Sequence, residues 1–277
     1  MTRIAICAPA TPISHTVAEA VTELASREFP DLELAFHEQC FAEQGHFAGP
    51  DHVRLAAFLE CANDPGTAAV WFAKGGYGSN RIAREAIAEL GTGAADKTFL
   101  GYSDCGFLLA GLYREGIGRP VHGPMPVDMR GEGGEHAVRR ALAWMSGSDD
   151  GLEPEIASAP VAAFNLMTLS SILGTSLMPD LGGHVVMVEE VAEHLYAIDR
   201  LLFHVTARLA DARIAGLRLG QVTNVPENDR PFGSEPEEMA RFWCERHGIP
   251  FLGRAEIGHS AANMIVPFGV AAGSTRS

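Results

Sequence analysis

Residues 99–109, FLGYSDCGFLL, set a serine and an aspartate between two apolar runs. If the first run is a strand and the second a helix, Ser103 lies on the bend between them. A hydroxyl there is exposed, and the backbone N–H of Asp104 points toward the helix N-terminus. These are the parts of a nucleophile elbow with half an oxyanion hole. The stretch departs from G-x-S-x-G, because Cys105 holds the fifth position and glycine arrives at Gly106. The plainer reading makes Ser103 or Asp104 a helix N-cap. A second stretch, KGGYGSNR (74–81), places Gly75, Gly76 and Gly78 directly after the apolar run AAVWFA. Its bare N–H groups could hold a phosphate or supply the second oxyanion donor. It lacks both the G-x-G-x-x-G spacing and a Gly-Lys-Ser/Thr, so it is weak as a nucleotide motif, and a simple glycine-rich turn also fits.

A serine nucleophile needs a base, and the base needs an orienting carboxylate. Of eleven histidines, His259 in AEIGHSAANMIVPFG follows a glycine in a polar turn before an apolar run. His122 in VHGP also sits at a strand end and rivals it, whereas His15, His136 and His247 lie on helical faces. Glu189 stands where the apolar run HVVMVE emerges, with Glu190 and Glu193 close enough to compete. Spacing does not choose among the three. No H-E-x-x-H or comparable ligand spacing occurs, so no metal is expected.

The elements that must position these groups alternate. Strand-like runs at 3–8, 32–36, 68–73 and 98–102 are separated by helix-period segments at 15–29, around 51–64 and at 79–90. The helical DCGFLLAGLYREG, the strand-like RPVHG and the helical GEHAVRRALAWMSG follow. Such alternation predicts a parallel sheet covered on both faces, with ligands at the carboxyl ends of its strands. The rhythm breaks in SGSDDGLEPEIASAP (146–160). Beyond it come FNLMTLSSILGT, a strand at 184–189, the helix HLYAIDRLLFHVTAR, a strand region at 213–222 and the helix PEEMARFWCERHG. The pattern predicts an α/β fold: a parallel-sheet, flavodoxin/Rossmann-like domain over 1–150, a linker over 151–163, and a second domain of mixed α+β character over 164–277.

Composition narrows the function classes. A chain of 277 residues, 47% hydrophobic and 20% charged, can bury a large core. Its net charge of -14 and lack of a basic stripe argue against nucleic acid as a partner. Five scattered cysteines (Cys7, Cys40, Cys61, Cys105, Cys244) without a C-x-x-C pair fit reduced thiols. MTRIAICAPATPI does not read as a signal peptide, and no run approaches the roughly 18 apolar residues of a membrane span. The expectation is a soluble cytoplasmic protein.

Five segments, in order along most of the chain, resemble the LD-carboxypeptidases, serine peptidases that include muramoyl-tetrapeptide carboxypeptidases and microcin C self-immunity peptidases. GGYGSNRI resembles the family's G-G-Y-G-x-x-R-x loop, LGYSD its nucleophile turn and VHGPM its H-G-P-x segment. MVEEVAEHLYAIDRLL resembles L-E-D-x-x-E-x-x-Y-x-I-D-R, and GHSAANMIVPFG resembles G-H-x-x-x-N-x-x-x-P-x-G. The resemblance implies Ser103 as nucleophile, His259 as general base, Glu189 as orienting carboxylate, and the N–H groups of Gly76 and Asp104 as oxyanion donors. It further implies a smaller, β-rich C-terminal domain, a triad drawn from both domains, no cofactor, and a homodimer. The implied substrate is a murein tetrapeptide, cut between an L-centre (diaminopimelate or lysine) and terminal D-alanine during peptidoglycan recycling.

Two departures stand out. Ala163-Phe164 replaces a frequent Gly-Gly before Asn165-Leu166, and Cys105-Gly106 follows the aspartate where Ile-Thr is common. Arg81 could bind the substrate's terminal carboxylate, or it could anchor its own helix through a salt bridge. Two alternatives stay open. One is an amidase for peptidyl- or aminoacyl-nucleotide conjugates, with Trp71, Phe164 or Trp243 stacking on the base. The other is a non-catalytic module holding a peptide or nucleotide at GGYGS.

Overall fold

A mostly parallel sheet and a second, wholly parallel one organise the chain in a computed structural model that describes residues 1–154 and 159–269. The first contains β1 (Thr2–Cys7), β2 (Leu32–Phe36), β3 (Ala69–Phe72), β4 (Thr98–Gly101), β5 (Arg119–His122) and β10 (Val266–Pro267), ordered β10-β5-β4-β3-β1-β2. All pairings are parallel except β10 on β5, where Val266 lies opposite His122. Every residue of β3 and β4 is buried. That explains their unbroken apolar runs, because helices cover both faces of the sheet. The crossovers are α1 (His15–Glu28), α2 (Asp51–Asn63), α3 (Asn80–Ala88) and α4 (Gly106–Glu115), with α5 (Gly134–Met145) following β5. Local chemistry sets their ends: Ser14 caps α1 by accepting from Val17 N–H, and Gly116, in the left-handed region, ends α4.

The second sheet runs β6 (Val161–Asn165), β7 (Val185–Val191), β8 (Gly216–Thr223) and β9 (Phe251–Arg254), in that spatial order and parallel throughout. Its crossovers contain α6 (Leu166–Ile172), α7 (Leu195–Ala212) and α8 (Pro236–His247). β6 begins at Val161, inside the segment read as linker, because VAAFN is apolar and wholly buried. Residues 155–158 of that segment lie outside the described residues.

One apolar cluster joins Phe72 and Phe99 of the first sheet to Val186 and Leu217 of the second. At the seam Phe164 meets Phe268 edge to face with ring centroids 5.1 Å apart, and a Cβ on Gly106 would lie 3.0 Å from Thr168 Cγ2. The two halves therefore share a core, which fixes groups from one against groups from the other. All five cysteines are free and buried. Among the described residues no helix is long and apolar enough to cross a membrane, and no cluster of three or more metal-ligating side chains occurs.

Candidate active site

The turn after β4 is strained where it presents its hydroxyl. Tyr102 is extended, and Ser103 then adopts φ 59°, one of four non-glycine residues with positive φ among those described. The left-handed region disfavours any residue with a Cβ, and such strain persists where the surroundings over-determine it. Ser103 starts a short 3-10 turn and caps nothing with its side chain, so the helix-cap reading does not hold for it. Gly75 lies against it: a Cβ there would sit 3.2 Å from Ser103 Cβ and 3.3 Å from its Oγ.

His259 reaches this serine from the segment that leaves β9 and returns to the first sheet as β10. Its Nε2 lies 3.1 Å from Ser103 Oγ and its Nδ1 lies 2.8 Å from Glu189 Oε2. The contacts join positions 156 and 70 residues apart in sequence. Glu189 is fully buried on β7, where the sheet holds its carboxylate rigidly. Burial pulls the imidazole pKa down, but the hydrogen bond and charge of Glu189 outweigh it, helped by Asp128 and Glu190. The net shift is upward from the ordinary histidine value. Tyr102 lies beside the His259 ring, with centroids 4.8 Å apart, and donates its hydroxyl to Asp128 Oδ1 at 2.8 Å.

The competing assignments separate cleanly. His122 is buried, bonds Asn263 Oδ1 at 2.9 Å, and is pushed down to about 4, chiefly by desolvation. It makes no hydrogen bond to Ser103 and supports the site from beneath: Asn263 Oδ1 also accepts from Gly258 N–H at 3.1 Å, steadying the residue before His259. Glu190 makes its hydrogen bonds elsewhere. It accepts from Asn165 Nδ2 (2.8 Å), Val191 N–H (2.8 Å) and Met167 N–H (2.9 Å). Glu193 lines the neighbouring cavity.

The glycine loop is braced from three sides. Thr11 Oγ1 donates to Gly75 O at 2.6 Å. The carboxylate of Asp104 accepts from Gly78 N–H at 3.3 Å and Ser79 N–H at 2.8 Å, and Ser79 Oγ donates to Asp104 O at 2.5 Å. Arg54, wholly buried, donates to Gly78 O at 2.8 Å and also to Pro9 O and Asp51. The Gly78 peptide groups are thus held by an acceptor on the N–H and a cation on the carbonyl. Sequence reading missed Arg54, Thr11 and Asp128 as supports because they lie in no motif, and it gave Tyr102 and Asn263 no role although they lie in LGYSD and GHSAANMIVPFG, because those patterns declare no partner for them.

Ser103, Asp104 and Gly76 line a cavity of about 380 Å³ with Tyr77, Asn80, Phe107, Asn165, Met167, Thr168, Ser171, Glu190, Val191 and Glu193. It carries three carboxylates and no cationic side chain. A larger cavity, about 590 Å³, opens at the opposite, amino ends of the strands near Thr2, Thr98 and Arg119, away from these groups. Arg81 does not reach toward a substrate: both its Nε and Nη2 engage Asp51 at 2.8 Å. Trp71 and Phe164 are fully buried core side chains, and Trp243 donates to Asp199 on α7; none lines the cavity. Phe164 therefore packs in the seam between the halves, not on the cavity wall.

A serine, an imidazole and a carboxylate in hydrogen-bond sequence on a two-sheet α/β framework place the molecule among the serine hydrolase architectures. The chain matches the LD-carboxypeptidase N-terminal domain over residues 4–123 and the LD-carboxypeptidase C-terminal domain over residues 158–273, and it belongs to this family of serine peptidases. It is 28% identical to the probable murein peptide carboxypeptidase of Bacillus subtilis strain 168, over 97% of this chain and 87% of that protein. It is 24% identical to the murein tetrapeptide carboxypeptidase of Pseudomonas aeruginosa, over 96% and 91%. The fold also matches solved structures. One is muramoyltetrapeptide carboxypeptidase from Oxalobacter formigenes (TM-score 0.77, 23% identity, 97% of this chain and 93% of that one). Another is the microcin C7 self immunity protein MccF with aspartyl sulfamoyl adenosine (TM-score 0.81, 17% identity, 97% and 91%).

Proposed function

We propose that this protein is a serine LD-carboxypeptidase that hydrolyses the amide between an L-centre, diaminopimelate or lysine, and the terminal D-alanine of murein tetrapeptides. The observation that carries the reading is the Ser103–His259–Glu189 relay, with its two contacts of 3.1 and 2.8 Å. Ser103 Oγ attacks the scissile carbonyl and passes its proton to His259 Nε2, while Nδ1–H donates to Glu189 and the carboxylate stabilises the imidazolium. The N–H groups of Gly76 and Asp104 receive the oxyanion, each worth about 3–4 kcal/mol of barrier. The imidazolium then protonates the departing D-alanine amine, and water enters by the same base to free the acyl group. The carboxylates of Glu190 and Glu193 on a cavity wall without cations favour an acyl residue bearing an ammonium group, as diaminopimelate and lysine do. A cytoplasmic homodimer acting on recycled peptides is the setting the family resemblance suggests.

A second reading is the related amidase for aminoacyl-nucleotide conjugates. Tyr77 favours it, because this side chain lines the cavity, is 48% exposed and offers an aromatic face to a base. A non-catalytic module leaves the relay without a purpose. Incubating the wild type and Ser103→Ala with murein tetrapeptide and with an aminoacyl-nucleotide amide, followed by mass spectrometry, tests all three. Release of D-alanine by the wild type, reduced at least about 10⁴-fold in Ser103→Ala, is the expected result. Undiminished turnover in Ser103→Ala refutes the mechanism, and exclusive cleavage of the nucleotide conjugate selects the second reading.

A further inference from the structure

His259 stands on a turn with few attachments. Between positions 258 and 263 the backbone bonds to itself: Ser260 N–H donates to Gly258 O at 3.0 Å, and Asn263 N–H donates to Ser260 O at 3.1 Å. Apart from the relay, hydrogen bonds tie this turn to the rest of the described chain at two places. One is the contact of Asn263 Oδ1 with His122 Nε2 at the end of β5. The other is Arg140 on α5, whose Nη1 donates to Ala261 O at 2.9 Å and to Asn263 O at 2.8 Å.

Both tethers come from the first half of the chain, which carries Ser103, whereas Glu189 stands on the second sheet. Arg140 is half-buried and makes no ion pair among the described residues, so its charge goes to the two carbonyls. Its hold brackets the base. Ala261 follows His259 by two residues, and Asn263 fixes the residue before it by accepting from Gly258 N–H at 3.1 Å. The arginine stem runs along Gly151, where a Cβ would lie 2.5 Å from Arg140 Cγ. The start of α5 meets the turn as well, since a Cβ on Gly133 would lie 3.0 Å from Ala261 Cβ.

We infer that Arg140 is a positioning residue of the reaction: it holds the His259 turn against the nucleophile's half and thereby sets the Ser103–His259 contact. The inference rests on the relay proposed above and adds what keeps its base in register with its nucleophile. Arg140 itself does not line the serine's cavity. Hydrogen bonds from a cation to a carbonyl are stronger than neutral ones, and proton transfer depends steeply on placement, a shift of about 1 Å costing about 100-fold.

The test compares murein tetrapeptide hydrolysis by the wild type, Ser103→Ala, Arg140→Met, Arg140→Lys and Gly151→Ala, each with its urea midpoint. Arg140→Met keeps an unbranched stem and loses both bonds, so kcat should fall about 10- to 100-fold with KM within about twofold. Arg140→Lys should recover most of the loss, because one nitrogen serves both carbonyls and an ammonium carries three donors. Gly151→Ala leaves the charge in place but displaces the stem, and should lower kcat less than Arg140→Met does. A purely structural role would lower the urea midpoint and leave the folded enzyme's kcat at the wild-type value. In protein carrying isotope-labelled histidine, the His259 imidazole resonances should shift or broaden in Arg140→Met and return in Arg140→Lys. If hydrolysis is never seen, or persists in Ser103→Ala, while these resonances still respond, the peptidase reading fails and the tether stands. Wild-type kcat and unchanged resonances in a folded Arg140→Met, or an equal loss in Arg140→Lys, overturn the inference.

Discussion

Replacing Asp104 by asparagine asks whether this carboxylate sets the oxyanion geometry. The side chain is 6% exposed and accepts from two consecutive backbone N–H groups, at 3.3 Å from Gly78 and 2.8 Å from Ser79. Asparagine keeps one acceptor oxygen, but its amide NH₂ must face the second N–H, so one charge-assisted bond is lost. Such a bond contributes about 1.5–3 kcal/mol. The loop it ties carries Gly76, so the loss falls on the transition state more than on bound substrate. At about 1.36 kcal/mol per decade, kcat should fall about 10- to 150-fold with KM within about twofold. Steady-state hydrolysis of murein tetrapeptide, alongside urea denaturation to confirm a folded variant, measures both quantities. A folded Asp104→Asn enzyme with wild-type kcat would refute the claim that this carboxylate positions the glycine loop.

Further outcomes follow from the same geometry. As the proposed base His259 must be neutral, and its pKa is raised, so kcat/KM should fall as pH drops through that raised value and level off above it. Removing the charge in Asp128→Asn takes away one cause of the rise and should move this acid limb to lower pH in a pH–rate profile. Glu189→Gln should lower kcat by about 10³- to 10⁴-fold and also shift the limb downward, because the imidazolium loses its partner. Arg81→Ala should leave KM within about twofold and cost no more than about 1 kcal/mol in chemical denaturation. Its ion pair with Asp51 is 47% and 41% exposed and correspondingly screened.

Legibility in the sequence followed periodicity. The run RIAICA marks a strand found at Thr2–Cys7, and HTVAEAVTELASREF marks a helix found at His15–Glu28. Short pieces were harder: β10 is only two residues, and its pairing with β5 depends on a chain return that no local pattern encodes. The first three residues of VAAFN, 161–163, fell in an apparent linker because a buried strand of five residues has no alternation to reveal it.

The amino-acid sequence by itself determined the inventory of this protein: alternating apolar runs that must form a covered parallel sheet, glycines at a strand end, and a serine on a tight bend. Residue types and spacing left His259 and His122, and Glu189, Glu190 and Glu193, open, because ring and carboxylate chemistry is the same at each position, and only the family resemblance pointed to His259 and Glu189. Tertiary structure set which of them meet Ser103. It buried His122 against Asn263 and turned Glu190 toward the start of α6, while bringing Ser103, His259 and Glu189 together across a shared core. The physical reason is distance: a hydrogen bond reads positions to a fraction of an ångström, and only packing between remote segments fixes positions that finely.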